Sequence, residues 1–171
     1  AIDKIASLQP QFISISYISE GLNEKIIKLI KAKEELQHTK IIVKIENYHN
    51  REELTKICQN KDYSHVLIDR GEIAVNIPFE QTGIYQKEIT KIAKEQNRLV
   101  IVSTQILEST VNNFTPSRSD ITDLTNMILD DINGIMFCIE TSSGNRPTYP
   151  IAVAKKIINT VEKYKKAQYG Q

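Results

Sequence analysis

The sequence predicts an α/β fold assembled from parallel β/α units, and three observations carry that prediction. Short apolar runs rich in β-branched residues, Ile41-Ile42-Val43 among them, read as strands buried on both faces. Longer segments with apolar residues at helical spacing lie between those runs. The strand-like runs recur about every 24 to 36 residues with a helical segment in each interval, the pattern of βαβ crossovers. This spacing admits an open doubly wound sheet or part of a barrel, and periodicity alone does not choose between them.

Residues 12–18, Phe-Ile-Ser-Ile-Ser-Tyr-Ile, read as the first strand. A helix is expected over residues 22–37, with Ile26, Ile27, Leu29 and Ile30 on its buried side and lysines elsewhere. Residues 41–45 form the second strand. Asn50 is a good N-cap for the next helix, with Glu52 and Glu53 in its first turn. The third strand covers residues 65–69, and a connection containing Ile77-Pro78 follows it. A long helix over residues 79–96 places Ile84, Ile89, Ile92 and Ala93 at helical spacing, and residues 99–102 make the fourth strand. Residues 120–130 read as a helix with Ile121, Leu124, Met127 and Ile128 on one face. Residues 134–138 are the fifth strand and 151–165 the last helix.

At 171 residues the chain is long enough for one domain with a real core. The 22 Lys and Arg against 21 Asp and Glu leave a formal charge of +1, which argues against a nucleic-acid partner. Nothing approaches the roughly 18 apolar residues of a membrane span, and the start has no signal-peptide pattern. A chain beginning Ala1-Ile2 rather than with Met suggests processing or a segment of a longer chain. Cys58 and Cys138 show no CxxC or zinc-finger spacing, so a reduced, cytoplasmic setting is expected. Neither GxGxxG nor GxxxxGK[ST] occurs.

Charged and hydroxyl groups appear where the strands stop, and an α/β barrel carries its chemistry at those carboxyl ends. Lys44 and Glu46, two apart on one strand, project to the same side. They suit a cation facing developing negative charge beside an oxygen ligand for Mg²⁺, or a plain ion pair. Arg70-Gly71-Glu72 adds a second carboxylate at the next strand end, where Gly71 would let a ligand approach the backbone closely or would simply turn the chain. Glu46 and Glu72 together are candidate ligands for one Mg²⁺. Thr104, at the fourth strand end, offers a hydroxyl for positioning or proton relay. His38, His49 and His65 match no catalytic pattern.

These stretches resemble pyruvate kinase. Lys44-Ile45-Glu46-Asn47 matches that family's Lys-Ile-Glu-Asn, and residues 70–78 resemble its Arg-Gly-Asp-Leu-Gly-Val-Glu-Ile-Pro. Ser103-Thr104-Gln105-Ile106-Leu107-Glu108-Ser109 resembles Ala-Thr-Gln-Met-Leu-Glu-Ser. Pro116-Ser117-Arg118-Ser119-Asp120 resembles Pro-Thr-Arg-Ala-Glu, and Glu140-Thr141 stands at the family's Gly-Glu-Thr. The resemblance implies about five of the eight strands of a TIM-type barrel, with the lid and C-terminal regulatory domains absent from residues 1–171. It implies phosphoryl transfer from phosphoenolpyruvate to ADP in glycolysis, with Mg²⁺ and K⁺. Lys44 and Thr104 would be catalytic, Arg70, Gly71 and Thr104 substrate-binding, and Glu46 and Glu72 metal ligands; the family's K⁺ ligands fall outside this segment. A homo-oligomer, or a second chain completing the barrel, is expected, with Arg118 and Asp120 at a subunit contact or simply at a helix start. The segment alone is expected to be inactive.

The sequence also departs from the family pattern. Glu72 replaces Asp, Ala74 replaces Gly, and Asp69 stands where Ala precedes Arg-Gly. Tyr48-His49-Asn50 replaces a Gly-bearing loop, Cys138-Ile139 replaces Ser-Gly, and residues 144–150 form a longer loop. These changes support the alternative of an inactive relative with a structural or regulatory role.

Overall fold

A computed structural model describes residues 2–18 and 21–170. Five strands follow one another in a single sheet in the order β1-β2-β3-β4-β5, each separated from the next by helix, as the β/α reading requires. They are β1 Phe12–Ile15, β2 Lys40–Ile45, β3 Tyr63–Asp69, β4 Leu99–Ser103 and β5 Gly134–Met136. The chain divides into two compact units, one ending at Val100 and the other starting at Ile101.

The first unit contains α1 Ile2–Ala6, α2 Leu22–Lys31, α3 Arg51–Gln59, α4 Arg70–Asn76 and α5 Thr82–Glu95. Its strands β1, β2 and β3 pair in parallel, with Ile15 beside Val43, Val43 beside Val66 and Ile45 beside Ile68. Val43, Ile45, Val66 and Ile68 are wholly buried, so their β-branched side chains meet packing on both sheet faces. Leu54 and Cys58 of α3 and Ile89, Ile92 and Ala93 of α5 close the core around them. Asn50 caps α3 as expected. Its side chain accepts from the Glu53 amide at 3.0 Å while the Glu53 carboxylate accepts from the Asn50 amide at 2.9 Å, a complete capping box.

The second unit contains α6 Arg118–Leu129, α7 Ile139–Ser142 and α8 Tyr149–Tyr169. Within it, Ile101 to Ser103 of β4 pair in parallel with β5. Leu124 and Met127 of α6 are buried, as are Ala154 and Val161 of α8. Pro150 sits in the first turn of α8, where its missing N–H costs no helix bond.

Several boundaries differ from the sequence reading, each for a local reason. β1 stops at Ile15 because Tyr17 adopts φ 52°, a left-handed conformation no strand continues. α2 stops at Lys31 because Lys33 is extended, and residues Glu34–Leu36 form a separate 3₁₀ turn. Leu29 is exposed: two residues from the buried Ile27, it lies about 200° around the helix. Ile84 is exposed as well, five residues and about 140° around the helix from the buried Ile89. The expected helix over 79–96 opens as a 3₁₀ turn, Phe79–Gln81, after Pro78, and α5 proper starts at Thr82. α6 starts at Arg118, with Ser117 rather than a later residue as its cap, and Ile121 is 39% exposed. β5 ends at Met136, before the chain turns into α7. Cys58 and Cys138 are both free thiols, and burial pushes the Cys58 thiol up to about 11. No helix among the described residues is long and apolar enough to cross a membrane.

Candidate active site

In the first unit, the carboxyl ends of β2 and β3 bring together Lys44, Glu46 and Asp69. The Lys44 ammonium lies 2.7 Å from Glu46 Oε1 and 3.1 Å from Asp69 Oδ2. Glu46 and Asp69 are both buried, and the Lys44 side chain is 19% exposed. The ion pair suggested by the spacing of Lys44 and Glu46 is therefore formed, and Asp69 makes it a triad. Burial would draw the Lys44 ammonium below the ordinary lysine value. The hydrogen bonds to Glu46 and Asp69, joined by their charges, outweigh it, so its pKa is raised and the amine stays charged.

The second Glu46 oxygen is also held. The Tyr17 amide donates to Glu46 Oε2 at 2.5 Å, and the Tyr17 backbone is left-handed. A non-glycine residue in this region costs about 1–3 kcal/mol, which persists where the surroundings over-determine it. The Tyr17 hydroxyl reaches Glu72 Oε2 at 3.5 Å, and the charges of Glu72 and then Glu46 keep the phenol above its ordinary value. Asn76 completes the frame: its side-chain amide donates to the Glu46 carbonyl at 3.2 Å and to the Glu72 carbonyl at 2.8 Å.

Arg70, Gly71 and Glu72 are not a strand-end loop. They form the first turn of α4, which begins directly after Asp69 ends β3. The reading of Gly71 as a turn residue is corrected accordingly, since it is helical. The Glu72 carboxylate is linked to the site through the Tyr17 hydroxyl, from a helix rather than an extended segment. Among the described residues no cluster of three or more His, Cys, Asp and Glu side chains is arranged to hold a metal. Mg²⁺ takes one or two carboxylates from a protein and fills its remaining positions with water or substrate oxygens, and Tyr17 links two carboxylates here, its amide to Glu46 and its hydroxyl to Glu72.

The segment after β2 is pinned by Tyr85 of α5. Its hydroxyl accepts from the His49 amide at 2.7 Å and lies 3.2 Å from the Asn47 carbonyl and 3.3 Å from the His49 carbonyl, either of which it can donate to. Burial pushes the Tyr85 phenol up to about 12. Burial likewise holds His49 below the ordinary histidine value, against the opposing charge of Glu53. His65 packs edge-on to Phe12 and contacts Ser64 Oγ at 2.8 Å.

In the second unit, Thr104 follows β4 at φ 69°, with Gln105 and Leu107 also left-handed. Three such residues in four make this a strained turn, most so at β-branched Thr104. The Thr104 hydroxyl donates to the Ser103 carbonyl at 2.6 Å. Buried Glu140 holds the turn, accepting from the Ile106 amide at 3.1 Å and from the Cys138 amide at 2.7 Å. Asp120 ties the end of the same segment to α6. It closes a capping box with Ser117 and accepts from both the amide and the hydroxyl of Ser109. The longer loop is docked through Arg146, whose guanidinium stacks on Phe114 at 4.8 Å and on Tyr149 at 4.4 Å.

Tyr17, Asn76, Tyr85 and the anchoring role of Glu140 were missed by sequence reasoning. Glu140 carried a signal as part of Glu140-Thr141, and Asn76 only as a position within the matching stretch 70–78.

Parallel β/α units with charged side chains gathered at strand carboxyl ends define an α/β-barrel type of chain. A family model described as pyruvate kinase, barrel domain, matches residues 5–152. The pyruvate kinase of Thermotoga maritima is 36% identical over 157 residues, covering 90% of this chain and 32% of that protein. That of Methanocaldococcus jannaschii is 31% identical over 154 residues, covering 90% of this chain and 34% of that protein. The crystal structure of Cryptosporidium parvum pyruvate kinase matches with a TM-score of 0.83 at 25% identity, over 94% of this chain and 34% of that one. The chain belongs to the pyruvate kinase family and corresponds to part of its barrel domain. It spans about a third of the length of these relatives.

Proposed function

We propose that this chain supplies part of a pyruvate kinase catalytic barrel, transferring a phosphoryl group from phosphoenolpyruvate to ADP to give pyruvate and ATP in the cytoplasm. The observation that carries the reading is the charged Lys44 ammonium, fixed between buried carboxylates at a strand carboxyl end in a member of this family. In this reaction the bridging P–O bond of phosphoenolpyruvate breaks and a β-phosphate oxygen of ADP forms the new one. The enolate left behind then takes a proton at carbon. Lys44 counters the charge on the transferring phosphoryl and on the enolate oxygen, which is where positioned cations contribute most. Thr104 binds substrate and takes part in delivering the proton. Arg70 offers charge to the phosphoryl group, and Gly71 a backbone contact to the substrate carboxylate.

Glu46 and Glu72 are the residues that would hold Mg²⁺. When bound, that ion would supply positive charge to offset the negative charge of the phosphate groups. The protein's own contribution is to keep the Glu46 carboxylate in place through the Tyr17 amide and Lys44, and its backbone carbonyl through Asn76. K⁺ would be held by groups outside this segment. A homo-oligomer, or another chain completing the barrel, is part of the same proposal.

A second reading, an inactive relative with a structural or regulatory role, is favoured by the double pairing of Lys44, which leaves the ammonium neutralised twice over. Coupled measurement of phosphoenolpyruvate-dependent ATP formation with Mg²⁺ and K⁺ separates the two. Turnover supports the enzyme; no turnover, with no Mg²⁺-dependent phosphoenolpyruvate binding, supports the second reading.

A further inference from the structure

We propose that Asp69 is an electrostatic brake on Lys44, which keeps phosphorylated anions out of the site until a divalent cation has bound. The inference rests on the phosphotransfer reading of this site and adds to it an order of binding. Lys44 contributes one positive charge, and Glu46 and Asp69 one negative charge each, so the triad carries a net charge of −1. The group is poorly solvated: the Lys44 side chain is 19% exposed, that of Glu46 3% and that of Asp69 10%. Two of the three ammonium hydrogens are committed to carboxylates. An arriving phosphoryl group thus meets a buried cluster of its own sign. A divalent cation placed on Glu46 changes the cluster from −1 to +1, and the sign of the field then favours the anion.

Asp69 is the member that makes this conditional. Without its charge the cation-free triad is neutral, and the Lys44 ammonium has a second hydrogen to offer. It also keeps a hold on Lys44 that does not depend on Glu46, so the lysine stays in place when Glu46 engages the cation. Asp69 is therefore a positioning residue acting through Lys44. Removing its charge should shift two affinities in opposite directions. For each charge on a bound ion roughly 6 Å away, a unit charge at an effective dielectric near 20 to 40 corresponds to about tenfold to a hundredfold in binding, so a divalent ion shifts by about tenfold at the least.

The test uses the intact protein, its Asp69→Asn variant, which keeps the shape, and its Asp69→Glu variant, which keeps the charge. Manganese affinity is measured by electron paramagnetic resonance, and metal-free phosphoenolpyruvate affinity by titration calorimetry. The brake predicts that Asp69→Asn weakens Mn²⁺ and strengthens phosphoenolpyruvate, each by at least about tenfold, while Asp69→Glu holds both within about threefold of the parent. Damage to the fold would weaken both, and a direct ligand role for Asp69 would weaken Mn²⁺ in Asp69→Glu as well. Either result overturns the proposal, as does a change in only one affinity or in neither, including no phosphoenolpyruvate binding by any form. ATP formation on the same preparations reports separately on the reaction: opposite shifts without turnover leave the brake standing and remove the phosphotransfer reading.

Discussion

Replacing Glu140 should unfasten the Thr104 turn, and the size of the effect follows from two hydrogen bonds. The Glu140 carboxylate is 1% exposed and accepts from the amides of Ile106 and Cys138 at 3.1 and 2.7 Å. In Glu140→Ala both amides lose their acceptor. An unsatisfied buried donor costs about 1–3 kcal/mol, and the partly buried Cys138 amide less than the buried Ile106 amide. The expected loss is about 2–4 kcal/mol in urea unfolding of the intact protein. Glu140→Gln keeps one carbonyl oxygen and turns an NH₂ toward the other amide, so about half of that loss is expected. Hydrogen exchange supplies the local readout, with protection falling first at Ile106 and Cys138. An Ala variant within about 0.5 kcal/mol of the parent, or a Gln variant as damaged as the Ala variant, would refute the anchoring role.

Three further outcomes follow from the packing. Tyr85→Phe leaves the His49 amide without its acceptor and should cost about 1–2 kcal/mol in urea unfolding, with faster exchange at His49; an unchanged midpoint contradicts this. Gly144→Ala brings a Cβ within 3.0 Å of the Glu140 carbonyl and should lower stability by about 1 kcal/mol or more, whereas a gain in melting temperature would contradict the close approach. Burial, and then the Lys40 charge, hold His65 below the ordinary histidine value, so the unfolded chain takes up the proton first as pH falls. Its contribution is present above about pH 6.5 and lost as pH drops through the lower folded value, with His49 adding in the same direction. Between pH 7 and 5 stability should therefore fall, and His65→Asn should flatten that slope; an identical slope would exclude His65.

The strands were legible where burial on both faces leaves a continuous apolar run, as at Ile41-Ile42-Val43 and in Val66-Leu67-Ile68. The α3 cap was legible because Asn50 and Glu53 act within one turn. α4 was not. It begins at the residue after β3 with no spacer, and Gly71 in its first turn reads as a break. β1 looked longer than it is because Ser16-Tyr17-Ile18 continues the alternation, and only the left-handed Tyr17 backbone ends it. At the site, Lys44 and Glu46 were readable from strand periodicity, and the matching motifs tied them to a family. Tyr17, Asn76 and Tyr85 act from 29 to 38 residues away through tertiary hydrogen bonds, and no local pattern announces such contacts. Asp69 was visible as an added acid, but its pairing with Lys44 depends on the register of β2 against β3.

Turnover by the intact protein and its Lys44→Met variant tests the central claim most directly, with folding of both confirmed by circular dichroism. Phosphoenolpyruvate-dependent ATP formation with Mg²⁺ and K⁺ should proceed in the parent, and kcat should fall by about a thousandfold or more in the variant. Equal rates in the two proteins would remove Lys44 from the mechanism, and an inert parent that also fails to bind phosphoenolpyruvate with Mg²⁺ would contradict the assigned reaction.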